Sequence, residues 1–178
     1  MSNIHPDTRI LEIAARQHGV VSRRQLREAG LSRGAIEHRL RTGTLRPVHR
    51  GVYRTGPTTP KHQAEAAALL ACGDDAVLTH RTAAGILRII PAPRPGEPID
   101  VSGPRTLRGP QSGVRIHRVG RLPSDEVERR HGLAIAAAPR TILDLAACLG
   151  PYDLERALAR AERKELLTLG QVRTIAGR

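Results

Sequence analysis

Residues 22–41 read SRRQLREAGLSRGAIEHRLR, and this stretch constrains the fold more than any other part of the chain. Ser22 precedes RRQLREAG and Ser32 precedes RGAIEHRLRTG. A serine oxygen in that position accepts from the free N–H groups of a helix's first turn, so each serine opens a short helix. Only Gly30 and Leu31 lie between the end of the first helix and the cap of the second. Glycine reverses the chain there without steric cost, and so short a link makes the helices meet at a tight corner, as in a helix-turn-helix. Leu26 and Ala29 on the first helix, and Ile36 and Leu40 on the second, fall on inward faces. Arg33, Gly34, Glu37, His38 and Arg41 are left facing away from the core.

The flanking segments complete a larger motif. Upstream, TRILEIAARQHG places Ile10, Leu11, Ile13 and Ala14 on helical spacing, with Thr8 as candidate N-cap, Gly19 as the stop, and Val20 and Val21 as an apolar link. Downstream, TLRPVHRGVYRTG sets apolar Leu45, Val48, Val52 and Tyr53 among Arg46, His49, Arg50 and Arg54, with Gly51 at the turn. This reads as a two-stranded wing. Residues 1–60 are therefore expected to form a winged helix-turn-helix DNA-binding domain. The N-terminal end of the third helix faces the major groove and the wing cations lie over the backbone. The candidate DNA-binding residues are Ser22, Arg23, Ser32, Arg33, Gly34, Glu37, His38, Arg41, Arg46, His49, Arg50 and Arg54. The alternative for the same fold is a packing or protein-contact module.

Charge favours a polyanionic partner. Lys plus Arg number 29 against 17 acidic residues, a formal net charge of +12, and every cation but Lys61 and Lys164 is arginine. Residues 1–60 hold 11 arginines and 4 acidic residues, so the shorter third carries +7 of that excess. Arginine suits bidentate contact with phosphates and guanine edges, although a high arginine content can also follow genome composition. With no Phe or Trp and only Tyr53 and Tyr152 as aromatic rings, the core must be built from Ala, Leu, Ile and Val. Single-strand recognition by aromatic stacking is disfavoured for the same reason.

Beyond Pro60 the composition shifts, and a second domain is expected over residues 61–178. KHQAEAAALLACG reads as an Ala-rich helix stopping at Gly73. Val77 and Leu78 read as a short strand, followed by a helix capped near Thr79 and the loop PAPRPGEP. IDVS (99–102), VRIHR (114–118) and LAIAA (133–137) are β-capable runs expected to pair in one small sheet. Arg105 and Arg108 lie in the loop 103–113, which reads as solvated rather than as a contact surface. Three helices, RTILDLAACLG, YDLERALARAERKELL and TLGQVRTIAG, with caps at Thr141, Asp153 and Thr168, are expected to cover the sheet. Leu154, Ala157, Leu158 and Ala161 form one apolar stripe on the second of these. The fold class is thus α+β, a winged helix-turn-helix followed by a small α/β domain.

Chemistry finds little support. Asp74, Asp75, Asp100, Asp125, Glu126 and Asp144 occupy differing contexts with no lysine at a matching spacing, which leaves a metal-dependent nuclease as the weakest alternative. No H-E-x-x-H, G-x-S-x-G or P-loop motif occurs, and no cofactor or metal site is expected. His80 beside Arg81 and Thr82 reads as a structural histidine at a helix start, with a polar site as the lesser reading. Arg140 and Asp144, four apart, read as an internal ion pair, and a binding role for Arg140 is the lesser reading. Cys72 and Cys148 read as buried small residues, not as a zinc or redox pair. No signal peptide or membrane span is apparent, so a cytoplasmic protein that is not an enzyme is expected.

The order HGVVSRRQLREAGLSRGAIEHRLRTGTLRPVHRGVYR, LTHRTAA, VRIHR and GLAIAAAPRTILDLA resembles the AbiEi family of type IV antitoxins over roughly residues 8–170. The first block carries it through Gly19, Ser22, Leu26, Gly30, Leu31, Ser32, Ile36, Leu40, Leu45, His49, Arg50, Gly51, Val52 and Tyr53. Further on, His80, Arg81, Ala83, Ala84, Pro139, Arg140, Thr141, Leu143 and Asp144 match. The chain departs from the pattern at Ala136, Ala137 and Ala138, where hydroxyl residues are common. The resemblance implies an autorepressor that binds duplex operator DNA, with a C-terminal domain acting against a nucleotidyltransferase-like toxin. The alternative within it is a protein-interaction antitoxin module with secondary DNA binding.

Overall fold

A computed structural model describes residues 5–109 and 111–177. Pro110, in the predicted loop, and Arg178, the predicted end of the second domain, lie outside the described residues. The chain divides into two compact units, one up to Asp74 and one from Asp75 onward.

The first unit runs α1 (Pro6–Arg16), β1 (Val20–Ser22), α2 (Arg23–Glu28), α3 (Arg33–Arg41), β2 (Leu45–His49), β3 (Val52–Thr55) and α4 (Gln63–Cys72). Its antiparallel sheet has the order β1-β3-β2. Ile10, Ala14, Val21, Leu26, Ala29, Leu31, Ile36, Leu45 and Tyr53 form its core. The expected inward positions on α2 and α3 are thus buried, with Leu40 only partly so. Helix α1 starts two residues before the expected cap: Pro6 occupies the first turn, Asp7 complements the helix dipole there, and the His5 side chain caps Asp7 N–H.

The predicted boundary at residue 60 is displaced to Asp74 because α4 belongs to the first unit, where it packs against all three strands. Two contacts account for this. Gln63 Nε2 donates to His18 O at 3.3 Å, and Gly19, at φ +78°, lets the turn approach so closely that a Cβ would sit 3.2 Å from Gln63 Nε2 and 3.3 Å from Pro60 Cγ. Val48, one of the apolar residues of the wing, is 36% exposed. The pairing shifts between Pro47 and His49, and this bulge turns Val48 outward.

The second unit runs β4 (Val77–Leu78), α5 (His80–Ile86), β5 (Ile99–Gly103), β6 (Val114–Arg118), a 3₁₀ turn (Ser124–Glu126), β7 (Val127–Arg130), β8 (Leu133–Ala136), α6 (Ala138–Ala146), α7 (Pro151–Arg163) and α8 (Leu169–Ala176). The mixed sheet has the order β6-β5-β4-β8-β7, so the three predicted β runs share one sheet with Val77–Leu78. β7 was not apparent in the sequence because VERR carries one apolar residue. It pairs with β8 through a turn in which His131 and Gly132 both have positive φ. Helix α5 packs on β5 and β8, and α6 is packed by α5, α7 and α8. Helix α6 begins at Ala138 with Pro139 in its first turn, ahead of the expected Thr141 cap, and Thr141 instead donates to Ala136 O at 3.0 Å. Gly150 rather than Asp153 caps α7, while Thr168 caps α8 as expected. Cys72 is buried but Cys148 is exposed, because α6 ends at Ala146 and leaves Cys148 beyond its cap. No described helix is long and apolar enough to cross a membrane.

Candidate nucleic-acid interface

The corner between α2 and α3 is built as the serines dictate. Ser22 and Gln25 form a reciprocal capping box, with Gln25 N donating to Ser22 Oγ at 3.2 Å and Ser22 N donating to Gln25 Oε1 at 2.9 Å. Gly30 takes φ +103°, a conformation other residues adopt only with strain. Ser32 Oγ then accepts from Ala35 N at 3.1 Å and starts α3.

Helix α3 is anchored inward by the fully buried Ile36, and Arg33, Gly34, Glu37, His38 and Arg41 are all exposed, as the spacing predicted. Arg33 carries no ion pair or side-chain hydrogen bond among the described residues, and Arg41 bonds only His38 Nδ1, at 3.0 Å. Arg39 differs: it turns back to Asp7 at 2.8 Å and is spent on holding α3 to α1. Arg23 and Glu37 join at 2.7 Å, and Arg23 also donates to Tyr53 Oη at 3.1 Å. The hydrogen bonds that Arg23 donates to Glu37 and Tyr53 push its pKa up, so it is a fixed cation linking α2, α3 and β3.

In the wing, Arg46 and Arg50 are exposed without ion pairs among the described residues, while Arg54 is half-buried and donates to Pro57 O at 3.3 Å. The register sets Arg46 directly opposite Arg54. Like charges so placed repel unless an anion lies between or above them. His49 is half-buried, and burial lowers its pKa, which leaves it neutral near pH 7. The structure thus brings Arg33, Gly34, Glu37, His38, Arg41, Arg46, Arg50 and Arg54 to the surface of one unit. Ser22 is placed otherwise: it is 8% exposed with its hydroxyl committed to the cap, so it positions α2. Sequence reasoning overlooked Gln25, although Ser-x-x-Gln is a recognisable capping box. It also overlooked Tyr53 as a partner of Arg23, for which a separation of 30 residues leaves no local signal.

The second unit holds a polar cluster of its own. His80 and His117 stack at 3.7 Å with their planes 12° apart. His117 Nε2 lies 2.9 Å from Oδ1 of the buried Asp100, to which Arg115 also donates at 3.3 Å. The Arg140–Asp144 pair expected from its spacing forms at 2.8 Å, and Arg140 also reaches Glu126 at 2.8 Å. His80, at φ 48°, places Nδ1 3.0 Å from Thr79 Oγ1 and 3.9 Å from Asp144 Oδ2, an oxygen with no hydrogen-bond partner among the described residues. Burial lowers the His80 pKa, helped by repulsion from His117 and Arg140 and opposed by Asp144 and Asp100. Parallel stacking leaves no room for a reacting group between the imidazoles, so the pair is not arranged as an acid and a base flanking a substrate. Of the acidic residues weighed above, Asp74 pairs with Arg24 at 3.1 Å and Asp75 with Arg121 at 2.6 Å. Among the described residues no three His, Cys, Asp or Glu form a group suited to a metal ion.

Comparison with known proteins agrees with this architecture. Residues 9–56 match the family described as transcriptional regulator, AbiEi antitoxin. The crystal structure of the RV2827C protein from Mycobacterium tuberculosis is similar, with a TM-score of 0.57 and 21% identity, over 97% of this chain and 72% of that one. At that identity the likeness concerns the fold. No curated protein matches the chain. The helix-turn-helix and wing of residues 9–56 are thus similar to those of the family described as transcriptional regulator, AbiEi antitoxin.

Proposed function

We propose that the chain is a sequence-specific duplex-DNA-binding repressor of its own operon, of the antitoxin type, acting in the cytoplasm without a catalytic step. The observation that carries this reading is the exposed face of α3, where Arg33 and Arg41 have no carboxylate partner among the described residues, together with the exposed wing arginines Arg46 and Arg50, which have no ion pair among them either. Residues at the N-terminal end of a recognition helix reach base edges, and the backbone N–H groups there favour phosphate. Wing cations contribute affinity with little sequence choice. The family description of residues 9–56 as a transcriptional regulator supports the same reading. A nucleotidyltransferase-like toxin encoded alongside is the proposed protein partner, with the second unit as the surface that meets it.

Fluorescence anisotropy on the duplex upstream of the gene, with a shuffled duplex as control, tests the DNA reading. Selective binding is expected, with log affinity falling against log salt by about 0.9 per phosphate neutralised, for about five phosphates. Equal affinity for both duplexes overturns sequence-specific repression. The toxin reading is tested separately by co-expression, and failure of the two proteins to associate rejects it while leaving the DNA reading intact.

A further inference from the structure

The second unit contains a cavity of about 280 Å³ that the DNA-binding reading does not use. One wall is a face of α7, where Asp153, Arg156 and Arg160 fall three to four residues apart. Ala157, Arg81, Ile89, Ile90, Pro91 and Leu149 complete the lining, so three arginines border a hollow with an apolar side. Their charge is poorly compensated from within. Arg81 has Glu97 only at 3.9 Å, and neither Arg156 nor Arg160 has an ion pair among the described residues. Arg160 reaches no further than Ile89 O, at 3.5 Å.

An aromatic ring stands next to this charge. The chain has only two tyrosines and no Phe or Trp. Tyr53 is buried in the first unit, whereas Tyr152 is 70% exposed with Arg156 lying 5.6 Å from its ring centroid. Three arginines against one lining carboxylate suit an external anion, and the planar fork of arginine matches phosphate in particular. Ile90, Pro91 and Leu149 offer an apolar surface for a flat body, and the carboxylate of Asp153 offers an acceptor for its N–H or O–H groups. A volume near the lower end of the ~300–1,000 Å³ of ligand pockets is of the size that admits a small molecule.

We infer that this cavity binds a small phosphate ester carried on a planar ring, with a nucleoside monophosphate as the simplest case. Arg81, Arg156 and Arg160 hold the phosphate, and the apolar side receives the ring. The site lies wholly within the second unit and does not depend on DNA binding by the first.

Isothermal titration of the full chain at constant ionic strength provides the test, with AMP, inorganic phosphate and adenosine as probes. AMP is expected to saturate one site at least about tenfold more tightly than phosphate, with no detectable binding of adenosine. Arg156→Gln and Arg160→Gln, both on a helix surface, are each expected to weaken AMP about tenfold, the scale of a lost charge-assisted hydrogen bond. Arg129→Gln, an exposed arginine on β7, removes the same net charge elsewhere and is expected to leave AMP binding unchanged. Circular dichroism of each variant confirms folding. Failure of AMP to bind, equal affinity for AMP and phosphate, or an equal loss in Arg129→Gln overturns the assignment. Loss of AMP binding in Arg156→Gln with operator binding retained separates this site from the DNA face.

Discussion

At the scale of single residues, the interface depends on which arginines are already spent. Arg39 is held by Asp7, Arg24 lies between Glu28 and Asp74, and Arg23 is held by Glu37, whereas Arg33 at the start of α3 has no such partner among the described residues. Arg33→Ala is accordingly expected to weaken operator binding by about 1–3 kcal/mol if it reads a base, whereas Arg39→Ala acts on stability. Glu37→Ala releases Arg23 and is expected to raise affinity for random duplex and to steepen the salt dependence by about one contact, read by anisotropy at several salt concentrations. Gly30→Ala places a Cβ at φ +103° and is expected to cost about 1–3 kcal/mol in chemical denaturation. These pairings mark the limit of sequence reading. Ser22, Gly30 and Ser32 declare themselves because capping and chain reversal are local, but the joining of Arg23 to Glu37 and Tyr53 spans 14 and 30 residues and required the fold.

Elements were legible where their periodicity was complete. Helix α3 showed both its serine cap and its inward Ile36, and the wing showed apolar and cationic residues around Gly51. β7 was missed because VERR offers no apolar alternation, and its place in the sheet comes from pairing with β8. The ends of α1 and α6 were misplaced where a proline opened the helix ahead of the expected hydroxyl cap. The polar cluster was legible only as the Arg140–Asp144 spacing, since the stack of His80 on His117 joins a helix to an edge strand. The half-buried His80 makes α5 sensitive to pH. Burial is the largest cause of the lowered His80 pKa, so between that value and the ordinary ~6.5 the unfolded chain binds more protons than the folded one. The stabilisation is therefore complete above about pH 6.5 and is lost as pH falls toward the folded value. Asp100, Asp144, Arg140, Arg115 and His117 surround the group and set the size of the effect. His80→Asn, tolerant of the positive φ, is expected to flatten this part of the pH dependence in thermal melts between pH 5 and 7.

For the whole molecule, the division at Asp74 rather than at residue 60 decides what can stand alone. A fragment ending at Gly73 or Asp74 keeps α4 and the contacts of Gln63 and Pro60 around Gly19. It is expected to bind operator with the salt dependence of the full chain. A fragment ending at residue 60 exposes strand surface that α4 covers and is expected to melt at lower temperature and aggregate, as light scattering during a thermal scan would report. Recovery of full stability in the shorter fragment would assign α4 to the second unit. Within the first unit, α3 is tied to the core by one fully buried side chain, Ile36, while Arg33, Gly34, Glu37, His38 and Arg41 bear little of the packing. On the proposed reading, changes at those five outward positions would retarget the protein from one operator to another while its folding stability stays where it was.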